Sequence, residues 1–294
     1  MNKKGFTLVE LLAVIVILAI ILIIAVPKIF DVINSARLNS FNLSSKLLEN
    51  ATEKYVFNES ISVPLNTTIK INYSDIKTAD YISVIVDPIS KNECSNSKVK
   101  VTNNDGKYEY DSDLVCDNYI DLEDFNKIKN YNFSNGTTDW SGVDATISTS
   151  SNILTNTGNG GNNLPVTSQY TNMESLVDHK IYLYARARLT NSDFTQMTFI
   201  LSSSSWNWEE VAFNYNSRTN VWYDISTITT ISASYSGYVR FMLAHGYSTS
   251  AIANGKIMEI DGNTGVYLID LTDIYGSGNE PTITQMDKII ENMT

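Results

Sequence analysis

The longest apolar run of the chain lies near its start, between Phe6 and Pro27, and holds a single charge, Glu10. About 20 apolar residues are enough for a helix to cross the hydrocarbon layer of a bilayer. Lys3 and Lys4 precede the run and hold that end in the cytoplasm by the positive-inside rule. Residues 6–27 are therefore predicted to span a membrane after a short leader, residues 1–5, with the rest of the chain outside. A simple one-span anchor is an alternative, whereas a secretory signal peptide fits poorly because no small-residue cleavage site follows the run.

Beyond Pro27 the apolar positions recur every three or four residues, which is typical of an amphipathic helix lying on a core. Pro27 is expected to bend the helix without ending it, because lipid or neighbouring helices tolerate one lost hydrogen bond. The pattern thus predicts one helix of about 50 residues. Its buried stripe is predicted to contain Ile29, Phe30, Ile33, Ala36, Phe41, Leu47, Leu48, Ala51 and Tyr55.

The rest of the chain alternates between apolar and polar residues in short segments. Residues 81–89, 98–102 and 107–111 predict a small antiparallel sheet, with a turn at Asn104-Asp105-Gly106. From residue 131 onward, segments 180–189, 197–202, 210–215, 237–243 and 265–271 predict an all-β domain, and residues 148–163 are interpreted as a loop. Thr282 and Gln285 predict a capping box that opens a last short helix. The predicted fold is an α+β domain, residues 28–130, followed by a β-sandwich, residues 131–294.

Composition and charge narrow the function. The hydrophobic content of 43% excludes both a polytopic membrane protein and a wholly disordered chain. The net charge is −11, and residues 131–294 hold 7 basic and 15 acidic residues, so direct binding of nucleic acid is not expected. Only a local basic patch would reverse this, such as a ring formed by Arg186, Arg188, Arg218 and Arg240 on one face.

The chain offers little for metal or covalent chemistry. Two cysteines and two histidines leave almost nothing for a soft-metal site or a cysteine–histidine catalytic pair. The segment from Asp261 to Gly265 is rich in oxygen ligands but lacks the following glutamate of a calcium loop, so a polar turn is predicted there. We expect no metal, no cofactor and no catalysis.

The leader and the start of the apolar run read Lys3-Lys4-Gly5-Phe6-Thr7-Leu8-Val9-Glu10-Leu11-Leu12. This string resembles the class III signal of type IV pilins and of the related pseudopilins of type II secretion and competence systems. The resemblance implies that a prepilin peptidase cuts after Gly5 and methylates the new amino terminus at Phe6. It also implies that the chain assembles with other pilin subunits into a helical filament through its apolar helix.

Glu10 has a specific role in this resemblance. A lone carboxylate in an apolar helix is costly in a membrane unless it is paired. In the pilin family its partner is the freed amine of the neighbouring subunit's first residue, here Phe6. The alternative is that Glu10 reaches the membrane interface from near the helix start.

The two cysteines, Cys94 and Cys116, flank a segment with the pattern of a hairpin. In an extracellular chain an even, isolated pair most simply forms one disulfide, and the alternative is a pair of reduced cysteines packed as small apolar residues. This layout also resembles the pilin domains of Gram-positive bacteria.

The second half carries a further resemblance. Its start, Asn132-Phe133-Ser134-Asn135-Gly136-Thr137-Thr138-Asp139-Trp140, and its closing segment from Leu268 to Thr282, which includes Tyr275-Gly276-Ser277-Gly278-Asn279-Glu280, resemble jelly-roll modules of the carbohydrate-binding type. Such a module implies a glycan or another cell-surface ligand as partner. A module of this size is easier to place at a filament tip than along a packed shaft.

Sugar recognition needs flat apolar faces and a few fixed polar groups. The candidates for the faces are Trp206, Trp208, Trp222 and Tyr247, and the candidates for the polar groups are Asn207, Asp224, Arg240 and His245. Trp206 and Trp208 are two residues apart and would share one face of a strand. The alternative is that any of these aromatic residues fills the sandwich core, where Trp140 is also placed.

Three functions are compatible with these patterns. The leading one is a minor type IV pilin that passes through the membrane before assembly and then displays an adhesive β-sandwich on the cell surface. The second is a pseudopilin of a secretion or DNA-uptake machine whose sandwich binds cargo or substrate. The third, a glycan-active enzyme, requires two carboxylates facing each other across a cleft, and Asp224, Glu209 and Glu210 are the candidates.

Overall fold

The computed structural model describes residues 8–160, 166–172, 176–190, 197–202, 208–214, 218–231, 238–245 and 254–294. The chain divides into two compact units, Met1–Tyr119 and Ile120–Thr294. The first unit is an α+β domain with a long N-terminal helix, and the second is an antiparallel jelly-roll sandwich. The predicted fold class is therefore confirmed.

Helix α1 runs from Leu8 to Asn58 and passes through Pro27. Its axis bends by 43° between Leu8–Ile23 and Lys28–Asn58. A proline lacks the backbone N–H that would continue the hydrogen-bond ladder, which accounts for a bend at this point.

Only the C-terminal part of the predicted apolar stripe is buried. Phe41, Leu48 and Ala51 are covered by the first unit, whereas Ile29 and Phe30 remain 55% and 60% exposed. Ile33 and Leu47, which the stripe also included, are exposed as well. The periodic pattern thus predicts the helix correctly but overestimates how much of it lies on the core.

The globular part of the first unit is a three-stranded antiparallel sheet. Its elements are β1 (Thr68–Asn72), α2 (Tyr73–Thr78), β2 (Lys98–Asn104) and β3 (Lys107–Asp113), with strand order β1-β2-β3. The predicted turn joins β2 to β3. Asp105 and Gly106 both have positive φ angles, 51° and 90°, as a two-residue hairpin turn requires.

Residues 81–89 do not form the predicted strand. Apart from one isolated bridge between Val86 and Glu93, the segment is irregular. The carboxylate of Asp87 is fully buried and accepts hydrogen bonds from the backbone N–H groups of Ser90 (2.8 Å) and Asn118 (2.7 Å). A side chain that bonds to nearby backbone groups in this way favours a turn over a ladder, and strand β1, which the sequence analysis missed, forms the sheet edge instead.

Cys94 and Cys116 form a disulfide, as predicted. Both residues are buried. The bond closes a loop of 22 residues that contains β2 and β3. A cross-link over a loop of this size stabilises a fold by about 3 kcal/mol in the chain-entropy account.

The second unit is built from two antiparallel sheets. Its elements are α3 (Leu122–Phe125), β4 (Ser141–Val143), β5 (Ala145–Ser150), β6 (Ile153–Gly158), β7 (Val166–Asn172), β8 (Lys180–Leu189), β9 (Met197–Ser202), β10 (Trp208–Asn214), β11 (Tyr223–Thr230), β12 (Tyr238–His245), β13 (Ile257–Asp261), β14 (Val266–Asp270), α4 (Leu271–Tyr275) and α5 (Ile283–Met293). The five-stranded sheet has the order β10-β9-β12-β7-β4. The six-stranded sheet has the order β11-β8-β13-β6-β5, and β14 also pairs with β8.

The core of the sandwich lies between the two sheets. Strand β8 supplies five fully buried side chains to it, which are Ile181, Leu183, Ala185, Ala187 and Leu189. Trp140 is also in this core, as predicted, and its indole N–H donates to the backbone carbonyl of Asn130 (3.1 Å). A buried polar contact also joins the sheets, because the side-chain amide of Asn156 on β6 donates to the hydroxyl of Thr167 on β7 (2.9 Å).

Two segments of the second unit differ from the sequence-based expectation. Residues 120–130, which the sequence analysis places in the first domain, belong to the second unit, where Asn126 forms an isolated bridge with Ile269 of β14 and its side chain bonds to the backbone of both Val266 and Leu268. Residues 148–158, interpreted as loop, belong to the β5–β6 hairpin. Its turn, Ser151-Asn152, has two positive φ angles.

The closing segment of the chain forms α4, a turn and α5. Thr282 and Gln285 form the predicted capping box at the start of α5. The carboxylate of Glu280 fixes the preceding turn, since it accepts hydrogen bonds from the Thr272 hydroxyl (2.9 Å), the Gly278 N–H (2.8 Å) and Lys180 Nζ (3.2 Å). Hydrogen bonds from its own backbone N–H, from Thr272, from Lys180 and from Gly278 lower the pKa of Glu280 to about 2, although burial acts in the opposite direction.

This pKa makes the stability of the second unit depend on pH. A carboxylate with a folded-state pKa below its ordinary value of 4.5 stabilises the fold above that pH. The contribution of Glu280 should therefore be complete above about pH 4.5 and be lost as the pH falls towards 2. Urea unfolding of the full chain between pH 7 and pH 2 should show a loss of stability in this window that is smaller in Glu280→Gln. Glu291→Gln, an exposed glutamate of α5, is the control and should keep the wild-type slope, and an unchanged slope in Glu280→Gln would contradict the assignment.

Candidate functional site

The first half of α1 is apolar and exposed around its whole circumference. Its large side chains from Leu8 to Ile23 are between 48% and 80% exposed. In the described part of the chain no single straight helix is long and apolar enough to cross a bilayer, and one bent pair, Leu8–Ile23 with Lys28–Asn58, meets that criterion together. Glu10 lies in the first turn of α1, where a negative charge is favourable near the helix N-terminus. Gly5 and Phe6 lie outside the described residues.

The predicted ligand residues are distributed over both sheets of the sandwich. Trp208 begins β10 and Arg240 is in β12, so both belong to the five-stranded sheet. Trp222 and Asp224 are on the β11 side of the six-stranded sheet. Trp206, Asn207 and Tyr247 lie outside the described residues.

The register of the five-stranded sheet places two of these residues in one row. Trp208 and Arg240 both pair with Ser202, from the two sides of β9. Neighbouring strands are about 4.8 Å apart, so the backbones of Trp208 and Arg240 are separated by roughly twice that distance. We refer to Trp208, Ser202 and Arg240 as the β9 row.

The six-stranded sheet has a polar outer face that follows from the alternation along β8. Its odd-numbered residues from Ile181 to Leu189 enter the core, so the even-numbered residues lie on the opposite face. These are Tyr182, Tyr184, Arg186 and Arg188. Neither arginine shares a sheet with Arg240, so the four arginines considered for nucleic-acid binding do not form a ring on one sheet face.

Two tyrosines of this face are buried and bonded to carboxylates. The hydroxyl of Tyr182 donates to Asp287 of α5 (2.7 Å), and that of Tyr184 donates to Asp224 of β11 (2.6 Å). Burial, followed by the hydrogen bonds to these carboxylates, raises the pKa of both tyrosines far above the ordinary value. Both hydroxyls therefore remain protonated donors at any physiological pH and hold the carboxylates in place.

Trp222 is partly covered by an arginine. The guanidinium of Arg188 lies 4.6 Å from the centre of the Trp222 ring, and its Nε donates to Glu259 on β13 (2.6 Å). This cation–π contact occupies one face of the indole. Only the other face of Trp222 remains for a ligand, which limits its predicted role as a stacking platform.

A groove of about 740 Å³ lies next to this cluster, between the outer face of the six-stranded sheet and helix α5. Tyr184, Arg186 and Asp224 form its sheet side. Asp287 and Lys288 of α5 lie opposite. The remaining lining residues are Ser226, Thr264, Thr284, Ile290, Glu291 and Thr294. We call this space the α5 groove.

Arg186 and Asp224 are direct cross-strand partners in the floor of the α5 groove. Sequence reasoning identified Asp224 as a ligand candidate but not Tyr184 or Arg186. The signal for them is the alternation along β8, which places charged and aromatic residues on the face opposite five core residues. What the local sequence does not show is the β8–β11 register that brings Arg186 beside Asp224.

The predicted polar turn at Asp261 is closed by its own hydrogen bonds. The carboxylate of Asp261 accepts from the backbone N–H of Asn263 (2.9 Å) and from the hydroxyl of Thr264 (3.1 Å). Side-chain bonds of this kind are typical of turns that begin at an aspartate.

Comparison with known proteins identifies the N-terminal segment. Residues 1–26 match the family described as the prokaryotic N-terminal methylation motif. The chain begins with this methylation motif. No curated protein matches the chain.

Solved structures similar to this chain are carbohydrate-binding modules. A family 4 module aligns with a TM-score of 0.39 and 11% identity, covering 49% of this chain and 99% of its own. A xylan-binding domain of family 22 has a TM-score of 0.40 and 10% identity, with 50% and 96% coverage. A family 22 xylan-binding domain from Paenibacillus barcinonensis has a TM-score of 0.36 and 11% identity, with 48% and 92% coverage. The chain thus combines a methylation motif at its start with a β-sandwich whose structural neighbours are such modules.

Proposed function

We propose that this protein is a minor type IV pilin subunit that displays a glycan-binding β-sandwich on the cell surface. The observation that carries the proposal is the combination of the methylation motif in residues 1–26 with an apolar helix whose first half is exposed on all sides. Large apolar side chains gain about 1.5–3 kcal/mol each when they leave water. Such a helix therefore needs either lipid or the helices of other subunits around it.

The proposal assigns a role to each residue of the motif. A prepilin peptidase cuts between Gly5 and Phe6 and methylates the amine of Phe6. The apolar helix then holds the subunit in the membrane until it enters the filament. There Glu10 pairs with the amine of the neighbouring subunit's Phe6, which offsets the cost of a carboxylate in apolar surroundings and sets the register between subunits.

The size of the second unit favours a minor subunit. It spans Ile120–Thr294 and follows a pilin-like first unit that ends at Tyr119. A subunit repeated along a packed shaft has to fit this bulk at every position, whereas a subunit at the tip does not. We assign no catalytic step to the protein.

The β9 row is the proposed glycan-binding surface of the sandwich. Trp208 and Arg240 share one row of the ladder, and their residue types are those that pyranose recognition needs, an aromatic ring and a hydrogen-bond donor. Trp206 and Tyr247 remain ligand candidates on the sequence alone.

Processing is the first test. Mass spectrometry of surface protein should find a chain that starts at methylated Phe6. In Gly5→Val a β-branched side chain occupies the scissile position, so the leader should stay attached and the protein should remain in the membrane. Lys3→Gln leaves the scissile bond unchanged and serves as the control for processing. Filaments that contain uncleaved Gly5→Val would contradict the pilin assignment, which requires cleavage before assembly.

Assembly is the second test. Glu10→Leu removes the charge from the apolar run and makes membrane insertion easier by about 2–3 kcal/mol. We expect normal cleavage but poor incorporation into filaments, because the partner of the Phe6 amine is lost. Glu10→Gln has nearly the native shape and should fail in the same way, whereas Glu10→Asp should retain part of the incorporation. Normal incorporation of Glu10→Gln, measured by immunoblot of sheared filaments, would show that the charge is not the assembly contact.

Glycan binding is the third test, made on an array with the full chain in a detergent without a sugar head group. Trp208→Ala should weaken binding by about 1–3 kcal/mol, as expected for the loss of a stacking platform, with little change in melting temperature. Trp140→Ala is the matched control and should lower stability by about 3–5 kcal/mol, because Trp140 is in the core. If the wild type binds no glycan on the array, the glycan assignment is wrong and the pilin assignment is unaffected.

A further inference from the structure

The α5 groove holds an unsatisfied donor. The Nε atom of Arg186 is buried and has no hydrogen-bond partner among the residues that the structure describes. A buried donor that folding leaves without a partner is costly, so its persistence calls for an explanation. The Nε atom itself is closed off from solvent, but the Arg186 side chain as a whole is only partly buried and lines a groove large enough for a small molecule, since ligand sites typically measure about 300–1,000 Å³.

An acceptor lies directly beside this donor. Asp224 is the cross-strand partner of Arg186, and side chains in such positions are about 5 Å apart at their Cβ atoms. One oxygen of Asp224 accepts the hydroxyl of Tyr184, which fixes the orientation of the carboxylate. The arrangement therefore presents a fixed acceptor, the carboxylate of Asp224, beside the guanidinium of Arg186. Two adjacent hydroxyl groups of a sugar match it, because one hydroxyl donates to Asp224 while the next accepts from Arg186.

The charges of the groove select among ligand classes. Three carboxylates line it, those of Asp224, Asp287 and Glu291, against the cations of Arg186 and Lys288. The excess of carboxylates disfavours an anionic ligand, and the guanidinium in the floor disfavours a cationic one. The hydroxyls of Ser226, Thr264 and Thr284 add further polar groups without net charge. A neutral polyhydroxylated ligand fits this lining best.

A larger saccharide has a second contact within reach. Trp222 lies just before β11, two residues before Asp224, and its ring contacts Arg188, which shares the outward face of β8 with Arg186. Arg188 covers one side of the indole and holds the ring in place. A sugar chain that starts at Arg186 and Asp224 can extend onto the ring.

We propose that the α5 groove is a second carbohydrate-binding site, specific for neutral saccharides with adjacent free hydroxyls and located on the sheet opposite the β9 row. The inference rests on the proposed glycan-binding function but uses a different sheet and different residues. Arg186 and Asp224 are the binding residues, and Tyr184 positions Asp224. Helix α5 forms the opposite wall and is held to the sheet by the bond from Tyr182 to Asp287 and by the buried residues Met286, Ile289 and Ile290.

The test is calorimetric titration of the full processed chain in lauryldimethylamine oxide, a detergent without a sugar head group. The neutral probes are cellotriose, mannotriose and xylotriose, which differ in the substituents and configuration of their rings. Trigalacturonic acid is the anionic probe and the chitosan trisaccharide is the cationic probe. We expect at least one neutral trisaccharide to bind and both charged probes to bind at least tenfold more weakly, since a misplaced charge-assisted contact is worth about that much.

The variants are chosen to keep the fold. Arg186→Lys keeps the positive charge but replaces the planar guanidinium and its fork of N–H donors by an ammonium group, and Asp224→Asn keeps the shape but weakens the acceptor. Each should raise the dissociation constant about tenfold or more, with an unchanged melting temperature. Arg218→Lys and Asp178→Asn are the matched controls, because both residues are exposed and do not line the groove. They should bind as the wild type does.

The outcomes separate this inference from the proposed function. Neutral-sugar binding that persists in both Arg186→Lys and Asp224→Asn but is lost in Trp208→Ala would overturn the second site and leave the β9 row in place. Tighter binding of either charged probe would overturn the ligand class. No binding of any neutral trisaccharide by the wild type would also overturn the second site. The β9 row is tested separately, by the binding of the wild type and Trp208→Ala to the glycan array.

Discussion

The apolar surface of the first half of α1 is the constraint on which the rest of the molecule depends. Its side chains from Leu8 to Ile23 are uncovered, although each one gains free energy by leaving water. From Phe41 onward the same helix contributes to the core of the first unit, because one of its faces packs against the rest of that unit. One element therefore belongs to two environments. In the proposed function these are the filament or the membrane at one end and the outside of the cell at the other.

In the second unit, strand β8 has a comparable double role. Its inward side chains form the centre of the sandwich core, and its outward side chains form a row of two tyrosines and two arginines. Each outward residue has an acidic partner on a neighbouring element, as with Tyr182 and Asp287, Tyr184 and Asp224, or Arg188 and Glu259. The exception is the Nε atom of Arg186, for which the described residues supply no acceptor. The same alternation that builds the core thus places both tyrosines and both arginines on one face of the sheet.

Several elements could be predicted from the sequence because local chemistry decides them. Strand β8 has the bounds that its alternation indicates, and the Thr282–Gln285 capping box starts α5 where expected. The β5–β6 hairpin was missed because its inward positions include Asn156 and Gly158, which do not look apolar, and the side-chain amide of Asn156 donates to Thr167 of the facing sheet. The segment 81–89 was assigned as a strand because its residues are apolar and β-branched, whereas the contacts of Asp87 with a distant loop determine its turn.

The candidate site was less accessible to sequence reasoning than the fold. Tryptophans were the natural candidates for sugar platforms, and the structure divides them between two sheets. The residues that meet in the α5 groove come from β8, β11 and α5, and their proximity depends on strand register and on how a terminal helix packs. Neither property is encoded by any short stretch of residues. The N-terminal motif is the opposite case, since its chemistry lies in consecutive residues and the match to residues 1–26 follows directly.

The position of the disulfide has a mechanical consequence for the proposed function, in which the sandwich is carried on a filament. Tension transmitted along the chain from the sandwich reaches the first unit at Tyr119. Three residues earlier that chain reaches Cys116, from which the force passes through the sulfur atoms to Cys94. Strands β2 and β3 lie inside the covalent loop and cannot be drawn out by a pull along the chain. The hairpin of the first unit is thereby protected from extension, and the remaining path to α1 is the segment from residue 59 to residue 94, which contains β1 and α2.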